Sequence, residues 1–127
     1  MTDDRSTAGF AERLGARGEQ TGEGRAVVRF EATDEHLNAA GTVHGGVLAT
    51  LVDTAMGQAV RSVSGEDDVP ATSQLTVTYL RPGKPGVLEG RASVRTHGEH
   101  LTVVEAEVEQ DGRPVAHALA TFALLHG

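Results

Sequence analysis

Several residue types that mark particular functions are absent or scarce in this chain of 127 residues. It has no cysteine, which excludes disulfides, thiolate metal ligands and cysteine nucleophiles. Aromatic residues make up only 3 % of the chain, which argues against a surface on which nucleic-acid bases stack. Basic residues are outnumbered by acidic ones, 11 to 18, and the net charge of −7 disfavours non-specific nucleic-acid binding.

Long apolar runs are missing as well. No segment approaches the roughly 20 apolar residues of a membrane span. The first residues, MTDDRSTAGF, carry acids and no apolar run, so we do not expect a signal peptide. These absences predict a soluble, cytoplasmic protein that binds neither a membrane nor nucleic acid.

What the sequence does contain is a set of alternating segments around one helical segment. A polar segment over residues 1–24, with a short helix near residues 9–14, precedes a single predicted domain over residues 25–127. Apolar residues alternate with polar ones in the way that strands require. The predicted elements are a strand around residues 26–30, a helix over 46–61, and strands over 74–80, 87–95, 103–109 and 115–125.

This order of elements predicts the fold class. One strand, one helix and four successive antiparallel strands indicate an α+β layer, with an antiparallel sheet wrapped around one long central helix. The helix is apolar on nearly every side, so we expect it to be covered by more than one side of the sheet, or by sheet and a partner chain.

One carboxylate, Asp53, interrupts that apolar helix. A buried carboxylate is normally paired, protonated or functional, because burying it unpaired is costly. In the simpler interpretation, Asp53 accepts a hydrogen bond from a nearby threonine and fixes the helix register. In the functional interpretation, it works with the start of the helix at His44, Gly45 and Gly46. Free backbone N–H groups at such a position can polarise a carbonyl oxygen, and glycines let a ligand approach closely.

The spacing between Gly45 and Asp53 predicts a dimer. Eight residues of helix separate the two by roughly 12 Å, so they cannot both contact one carbonyl group. They can cooperate only if two copies of the helix run antiparallel across a two-fold axis. Small residues allow such helices to approach each other: Gly46, Ala49, Thr50 and Gly57.

Two motifs resemble those of a known family. The pattern N-x-x-G-T-V-H-G-G-x-x-x-x-L-x-D spans Asn38 to Asp53, and T-x-x-L-x-V-x-Y-L-R-P spans Thr72 to Pro82. Together they are similar to the hotdog-fold acyl-CoA thioesterases, in the phenylacetate-degradation and human thioesterase-superfamily branch, over residues 25–125. The resemblance implies a hotdog fold, homodimers that often pair into homotetramers, and hydrolysis of an acyl-CoA to free acid and CoA. No cofactor is expected, since CoA is part of the substrate.

The resemblance also implies roles for individual residues. Asp53 is the nucleophile or the general base that activates water, and the Gly45 N–H of the partner subunit polarises the thioester carbonyl. Asn38 contacts the reacting carboxylate or the water, and Thr72 orients the attacking water. His44 is expected to hold the loop or to contact the sulfur side, rather than to abstract a proton.

The sequence specifies the substrate-binding residues less closely than the catalytic ones. Gly46 belongs to the glycine pair at the helix start, and Met56, Val60 and Leu75 are expected to line a pocket for a medium-chain or aryl-acetyl group. Where relatives carry a basic Gly-Arg pair, this chain has Gly98-Glu99-His100. The candidates for holding the CoA phosphates are therefore other cations, each of which can equally be an ordinary surface charge: Arg81, Lys84, Arg91 and Arg95.

A metal site is not expected, and two other functions remain as alternatives of lower weight. Only His97 and His100 among the six histidines are close in sequence, so no metal site is expected. His36, His117 and His126 are interpreted as structural or surface residues. A hotdog hydratase or dehydratase needs a histidine beside the carboxylate, and a non-catalytic acyl-CoA sensor would be expected to lose Asp53.

Overall fold

The computed structural model describes residues 9–126, without the side chain of His126. Residues 1–8, the first part of the predicted N-terminal segment, lie outside the described residues. A short helix and two strands come first: α1 (Phe10–Leu14), β1 (Arg17–Gly22) and β2 (Arg25–Ala32). A 3-10 turn (Asp34–His36) and a long helix, α2 (Gly45–Arg61), follow. The chain ends with four strands: β3 (Asp68–Tyr79), β4 (Gly86–His97), β5 (Leu101–Gln110) and β6 (Arg113–His126).

The strands form one antiparallel sheet in the order β1-β2-β4-β5-β6-β3. It wraps around α2, so the predicted α+β architecture is confirmed. The five expected strands are present, and a sixth, β1, was not predicted. Its sequence RGEQTG is exposed throughout and shows no alternation. It is a strand because its backbone pairs with that of β2. No helix within residues 9–126 is long and apolar enough to cross a membrane.

One face of α2 packs tightly on the sheet. It carries eight buried residues at the spacing that repeats along one side of a helix: Val47, Leu48, Leu51, Val52, Ala55, Met56, Ala59 and Val60. The helix approaches strand β4 closely at Gly90, where an added Cβ would lie 3.1 Å from the Leu51 carbonyl oxygen. The main core of the protein therefore lies between this helix face and the concave side of the sheet.

The opposite face of α2 is not buried in the single chain, so the expectation that more than one side of its own sheet would cover the helix is wrong. A stripe of small and polar residues runs along it, half-buried or exposed in the single chain: Gly46, Ala49, Thr50, Asp53, Thr54, Gly57 and Gln58. We call this set the open stripe. Asp53 therefore does not lie in an apolar interior, and its ionised form does not bear the full penalty of burial.

Strand β3 begins before Pro70, within the segment expected to be loop. It forms an edge of the sheet, and its register against β6 shifts between Thr72 and Gln74. Thr72 lies opposite the buried Phe122, and Leu75 and Val77 lie opposite alanines that are also buried. These three β3 residues therefore lie on the concave face of the sheet, toward α2.

Candidate active site

Asp53 and Thr72 meet between α2 and the edge strand β3. The Thr72 hydroxyl donates a hydrogen bond to Asp53 Oδ1 over 2.7 Å. Asp53 Oδ2 accepts no hydrogen bond from any residue in the described part of the chain, 9–126. The carboxylate is thus held by one oxygen, and the other is available to a substrate or a water.

The first turn of α2 is held by His44, the residue that caps the helix. Its Nδ1 accepts the Gly46 N–H over 2.8 Å, so this nitrogen carries no proton. Its backbone N–H donates to the His36 carbonyl over 2.8 Å. His44 is therefore an organiser of the loop and the helix start, one of the two roles implied by the sequence. The same bond occupies the Gly46 N–H, so Gly46 offers no backbone donor to a ligand.

The neighbouring N–H, that of Gly45, has no hydrogen-bond acceptor among residues 9–126. It is one of the unpaired N–H groups that a helix start leaves toward an anion or a polarised carbonyl. Tyr79 packs directly against Gly45: its hydroxyl donates to the Gly45 carbonyl over 3.1 Å. A Cβ at Gly45 would lie 3.2 Å from that ring, so glycine is what allows this contact.

Asn38 organises the loop before the helix. Its Oδ1 accepts the backbone N–H groups of Ala40 and Thr42, over 3.0 and 3.1 Å. Its Nδ2 donates to the Thr42 hydroxyl over 2.9 Å. Because the amide carries a second N–H, Asn38 keeps one donor beyond these loop contacts. Within one chain, no hydrogen bond joins Asn38 to Asp53 in the described residues.

The groups described above lie at two separate positions of one chain. Gly45 and Asp53 lie on the same uninterrupted helix, α2, so roughly 12 Å of helix separates them. We call these two positions half-sites. The first consists of the Gly45 N–H and Asn38 at the start of α2, and the second consists of Asp53 and Thr72 along the open stripe.

A concavity of about 400 Å³ opens beside the first half-site. It is lined by residues from the loop before α2, the end of β3 and the turn that follows, including Asn38, Gly45, Tyr79 and Arg81. The apolar residues expected as pocket walls lie elsewhere. Met56 and Val60 are 0 % exposed and belong to the core, so neither offers surface to a ligand in this chain. Leu75 is half-buried on β3.

The four candidate phosphate-binding cations fall into two groups. Arg91 and Arg95 form ion pairs with glutamates on β4 and β5: Arg91 with Glu89 (3.0 Å) and Glu109 (3.6 Å), and Arg95 with Glu105. Arg81 and Lys84 have no ion pair within residues 9–126. They lie in the turn between β3 and β4, on a concavity that also includes Arg113.

Sequence reasoning missed Tyr79, Gln110 and Arg113. Tyr79 was identified only as a residue of the strand pattern, although its place in the Y-L-R-P motif was a signal for a second role. Gln110 and Arg113 lie on either side of the Asp-Gly turn. They are brought to the turn after β3 by the pairing of β6 with β3 and by the hydrogen bonds between Gln110 and Lys84.

The histidines do not converge on a metal site; no group of three His, Asp or Glu residues in the described chain could hold an ion. His36 packs edge-on against Phe30, with ring centroids 4.7 Å apart, and His97 bonds to Thr102 over 2.8 Å. His117 bonds to Glu105 over 3.0 Å. The hydrogen bonds from His117 and then Arg95 lower the pKa of Glu105.

Comparison with known proteins identifies the family. The family model of the thioesterase superfamily matches residues 40–117. The chain belongs to the thioesterase superfamily. The resemblance seen in the motifs is confirmed, and so is the classification as a thioester hydrolase at the level of the family.

The sequences and structures of individual relatives agree with this family assignment. It is 38 % identical over 96 residues to the acyl-coenzyme A thioesterase PaaI of Escherichia coli, covering 74 % of this chain and 66 % of PaaI. The solved structure of E. coli PaaI, from the phenylacetic acid degradation operon, superposes with a TM-score of 0.85 at 33 % identity, covering 92 % of this chain and 84 % of PaaI. The chain spans 55, 69 and 73 % of the length of three curated esterase relatives.

Two further solved structures share the fold. A conserved Pseudomonas aeruginosa protein superposes with a TM-score of 0.89 at 34 % identity, covering 97 % of this chain and 100 % of that protein. A Streptococcus mutans protein, solved bound to acetyl CoA, superposes with a TM-score of 0.81 at 28 % identity, covering 88 and 90 % of the two chains. The hotdog fold is therefore confirmed for this thioesterase.

Proposed function

We propose that this protein is an acyl-CoA thioesterase whose active site forms between two copies of the chain. The observation that carries the proposal is the pair of half-sites on α2: the unpaired N–H of Gly45 and, eight residues along, the half-open carboxylate of Asp53. The names of relatives support the substrate class, since both E. coli PaaI and human acyl-coenzyme A thioesterase 13 are named for acyl-CoA hydrolysis.

In the proposed dimer, two α2 helices run antiparallel along their open stripes. Gly45 of one subunit then lies near Asp53 of the partner subunit, and the arrangement occurs twice. The stripe favours this contact because its small residues, among them Ala49 and Gly57, let two helix backbones approach closely. Asn38 adds its remaining N–H to the same end of the site.

The chemistry then follows from the two half-sites. The thioester carbonyl oxygen accepts the Gly45 N–H, which stabilises the negative charge that develops when the carbonyl carbon is attacked. Asp53 Oδ2 either attacks that carbon itself, releasing CoA as a thiolate and leaving an acyl anhydride that water cleaves, or removes a proton from an attacking water. Both routes consume one water and yield free acid and CoA, and neither needs a cofactor.

Thr72 has a supporting role in this proposal. Its hydroxyl donates to Asp53 Oδ1, which fixes the direction of the second oxygen. The simpler interpretation of Asp53, as a residue that only fixes register through a threonine, requires this same bond. A measurement of catalytic activity therefore distinguishes the functional interpretation of Asp53 from the simpler one.

The finer assignments are proposals too. Leu75 and the exposed end of β3 suit a medium-chain or aryl-acetyl group between the two subunits. Exposed Leu119 and Leu125 lie on the opposite face of the sheet, where pairs of dimers can meet as a homotetramer. We place this thioesterase in the cytoplasm, where acyl-CoA is available.

The testing experiment is a thiol-release assay over short, medium, long and aryl-acetyl CoA thioesters, comparing wild type with Asp53→Asn. The amide is nearly isosteric, so we expect the variant to keep its fold and assembly while turnover falls by at least ~10³-fold. Single turnover in water labelled in its oxygen tests the nucleophilic route, because label enters Asp53 only when water cleaves an anhydride at the Asp53 carbonyl carbon. A wild type that binds these thioesters without hydrolysing them would establish the sensor function instead.

The hydratase alternative finds no support in the site. That chemistry needs a histidine and a carboxylate that converge on the substrate. His44 Nδ1 accepts the Gly46 N–H and so holds the helix start, which occupies the nitrogen that would act as a base.

A further inference from the structure

Strand β3 carries one residue more than the strand β6 beside it. Thr72 lies opposite Phe122 and Gln74 lies opposite Thr121, so Ser73, between them, has no partner of its own. An extra residue of this kind is a β-bulge, which bends a strand and changes the direction of nearby side chains. The bulge lies directly beside Thr72, the residue that donates a hydrogen bond to the carboxylate of the proposed site.

The bulge decides which of two adjacent hydroxyl groups faces α2. Side chains of a regular strand alternate between its two faces, and Leu75, after the bulge, faces the helix. A regular strand continued backward from that residue would place Ser73 opposite Phe122 and turn Thr72 to the outer face. We call this alternative the regular register. The bulge replaces it with an alignment in which Thr72 meets Asp53.

The apolar residues before the bulge do not favour the bulged alignment. Val69 and Ala71 continue the two-residue spacing of Leu75, so the regular register would turn both toward the helix. In the structure, Val69 is 48 % exposed and Ala71 lies opposite Ala123 on the outer face. The apolar pattern alone therefore favours the regular register, and other contacts hold the bulge.

Pro70 opposes the regular register through its backbone. It lies opposite Leu124, whose N–H points away from β3 and donates to the His100 carbonyl over 3.1 Å. Pairs in an antiparallel ladder alternate between hydrogen-bonded and non-hydrogen-bonded, so this pair needs no donor from the proline. Shifted by one residue, Pro70 would lie opposite Leu125 at a hydrogen-bonded pair, where its missing N–H would cost a ladder bond.

Ser73 fastens the bulge to β6 through its side chain. Its hydroxyl donates a hydrogen bond to the Thr121 carbonyl over 3.1 Å and lies 2.6 Å from the Thr121 hydroxyl, within hydrogen-bond distance. Because the first bond uses the Ser73 proton, the Thr121 hydroxyl supplies the proton of the second. In the regular register the Ser73 side chain would point to the other face of the sheet, and both bonds would be lost.

We propose that Ser73 is a positioning residue of the reaction: with Pro70, it holds the bulge that turns Thr72 toward Asp53. The proposal rests on the proposed function, in which the Thr72 hydroxyl orients that carboxylate. Ser73 needs no contact with the substrate, since its hydroxyl lies with that of Thr121 on the outer side of the sheet. Its effect on the reaction passes through Thr72 alone.

The first test compares kcat of wild type and Ser73→Ala with the acyl-CoA that wild type prefers. Loss of the two hydrogen bonds lets part of the protein adopt the regular register, so kcat should fall about threefold to tenfold. KM should stay within about twofold, because Gly45 and Asn38 are untouched. Ser73→Thr restores the hydroxyl and should recover most of the rate; a rate no better than that of Ser73→Ala would overturn the inference.

A double-mutant cycle separates positioning from a general structural role. Because Ser73 acts through Thr72, Ser73→Ala should cause no further loss of kcat when it is added to Thr72→Val. Additive losses would show that Ser73 affects the reaction by another route, and would overturn the inference. Adding Pro70→Val to Ser73→Ala removes both features that hold the bulge, and should lower kcat to the value of Thr72→Val.

Thr78→Val serves as the matched control. Thr78 is exposed on the same strand, lies opposite His117 on the outer face, and forms no side-chain hydrogen bond within residues 9–126. The substitution removes a hydroxyl from β3 without touching the bulge, so kcat should stay within about twofold of wild type. An equal fall in this variant would assign the effect to the loss of any hydroxyl on the strand and overturn the inference.

A measurement of the strand register removes the dependence on turnover. In isotope-labelled protein, nuclear Overhauser effects (NOEs) between the backbones of β3 and β6 report which residue lies opposite Phe122. Wild type should show Thr72 there, and Ser73→Ala should show a second set of signals with residue 73 in that place.

The two measurements distinguish failure of the inference from failure of the proposed function. A Ser73→Ala variant that shows only the wild-type NOEs would reject the role of Ser73, whatever its kcat, and leave the proposed function intact. A wild type that hydrolyses no thioester, with the second set of NOEs present in Ser73→Ala, would reject the hydrolysis and keep Ser73 as the residue that sets the face of Thr72.

Discussion

The two faces of α2 differ in composition, burial and purpose, although they belong to one 17-residue helix. The face toward the sheet carries eight apolar residues, none more than 8 % exposed. The open stripe carries glycines, threonines and Asp53, and much of it remains accessible in the single chain. The first face therefore stabilises the fold of one chain, while the second carries the groups of the proposed active site and stays open.

The contact partners of the two faces explain this difference. The buried face packs against the four interior strands of the sheet, β2, β4, β5 and β6, and approaches β4 closely at Gly90. The open stripe meets the two edge strands: Asp53 accepts a hydrogen bond from Thr72 on β3, and Gln58 accepts one from Thr21 on β1. An edge strand has unpaired backbone groups and covers little of its neighbour, so the site on this side stays open.

The largest expected effect breaks the buried face. Leu51 is 0 % exposed, so Leu51→Ala removes apolar contacts and leaves a cavity, which should lower the free energy of unfolding by about 4 kcal/mol. On the open stripe, Thr54→Ala should change it by less than about 1 kcal/mol. Urea denaturation monitored by circular dichroism measures both, and equal losses would mean that the two faces are not distinct.

The second prediction removes the Gly45 N–H without disturbing the helix. Proline is tolerated at the first position of a helix, and the extended backbone of His44 is compatible with a following proline. Gly45→Pro should therefore slow turnover by about 10²- to 10³-fold, as loss of an oxyanion donor does.

The control for this prediction is Gly45→Ala, which keeps the N–H but adds the Cβ that lies 3.2 Å from Tyr79. Its loss of kcat should be clearly smaller than that of the proline variant. If the two variants lose activity equally, crowding against Tyr79 and not the missing donor is responsible. Mixing Gly45→Pro with Asp53→Asn chains should restore activity, because a mixed dimer contains one intact site; no recovery would contradict the two-chain site.

A third, smaller effect concerns the bond that orients the carboxylate. Thr72→Val keeps the shape of the side chain and removes the hydroxyl that donates to Asp53. We expect kcat to fall about tenfold, equivalent to ~1.4 kcal/mol, while KM and stability change little. Thr72→Ser, which restores the hydroxyl, should recover most of the rate; failure of this rescue would show that the methyl group matters more than the bond.

The smallest predicted effect lies on the outer face of the sheet, away from both faces of α2. The pKa of Glu107 is raised above its ordinary value of 4.5. The larger cause is a hydrogen bond with Glu109, and the smaller cause is burial of the side chain. The folded protein then holds a proton more tightly than the unfolded chain, so this stabilisation is full at low pH and is lost as pH rises through the folded pKa.

Glu107→Gln removes that dependence. Because Glu107 is partly exposed, the difference in unfolding free energy between variant and wild type should grow by less than about 0.5 kcal/mol from about pH 4 to about pH 8. Urea titrations at several pH values measure it. A difference that shrinks with rising pH would have the wrong sign.

Much of the fold was predictable from local patterns, because an alternating or helical period states which residues share a face. Five strands and α2 were identified this way. Strand β1 was not, since its polar residues carry no period and its conformation depends on pairing with β2. Met56 was assigned to the pocket because a sequence cannot distinguish an apolar residue of the core from one that lines a site.

The sequence by itself determined the family, the single long helix and the eight-residue separation of Gly45 from Asp53, since these depend on motif and on fixed helix geometry. Tertiary structure decided which groups were already satisfied and which were free. Within residues 9–126 it paired Arg91 of β4 with Glu109 of β5 and left Lys84 and Arg113 without an ion pair beside one groove, through strand pairings between residues distant in sequence. It also placed Thr72 against Asp53, because only packing of an edge strand on a helix sets which side chains touch.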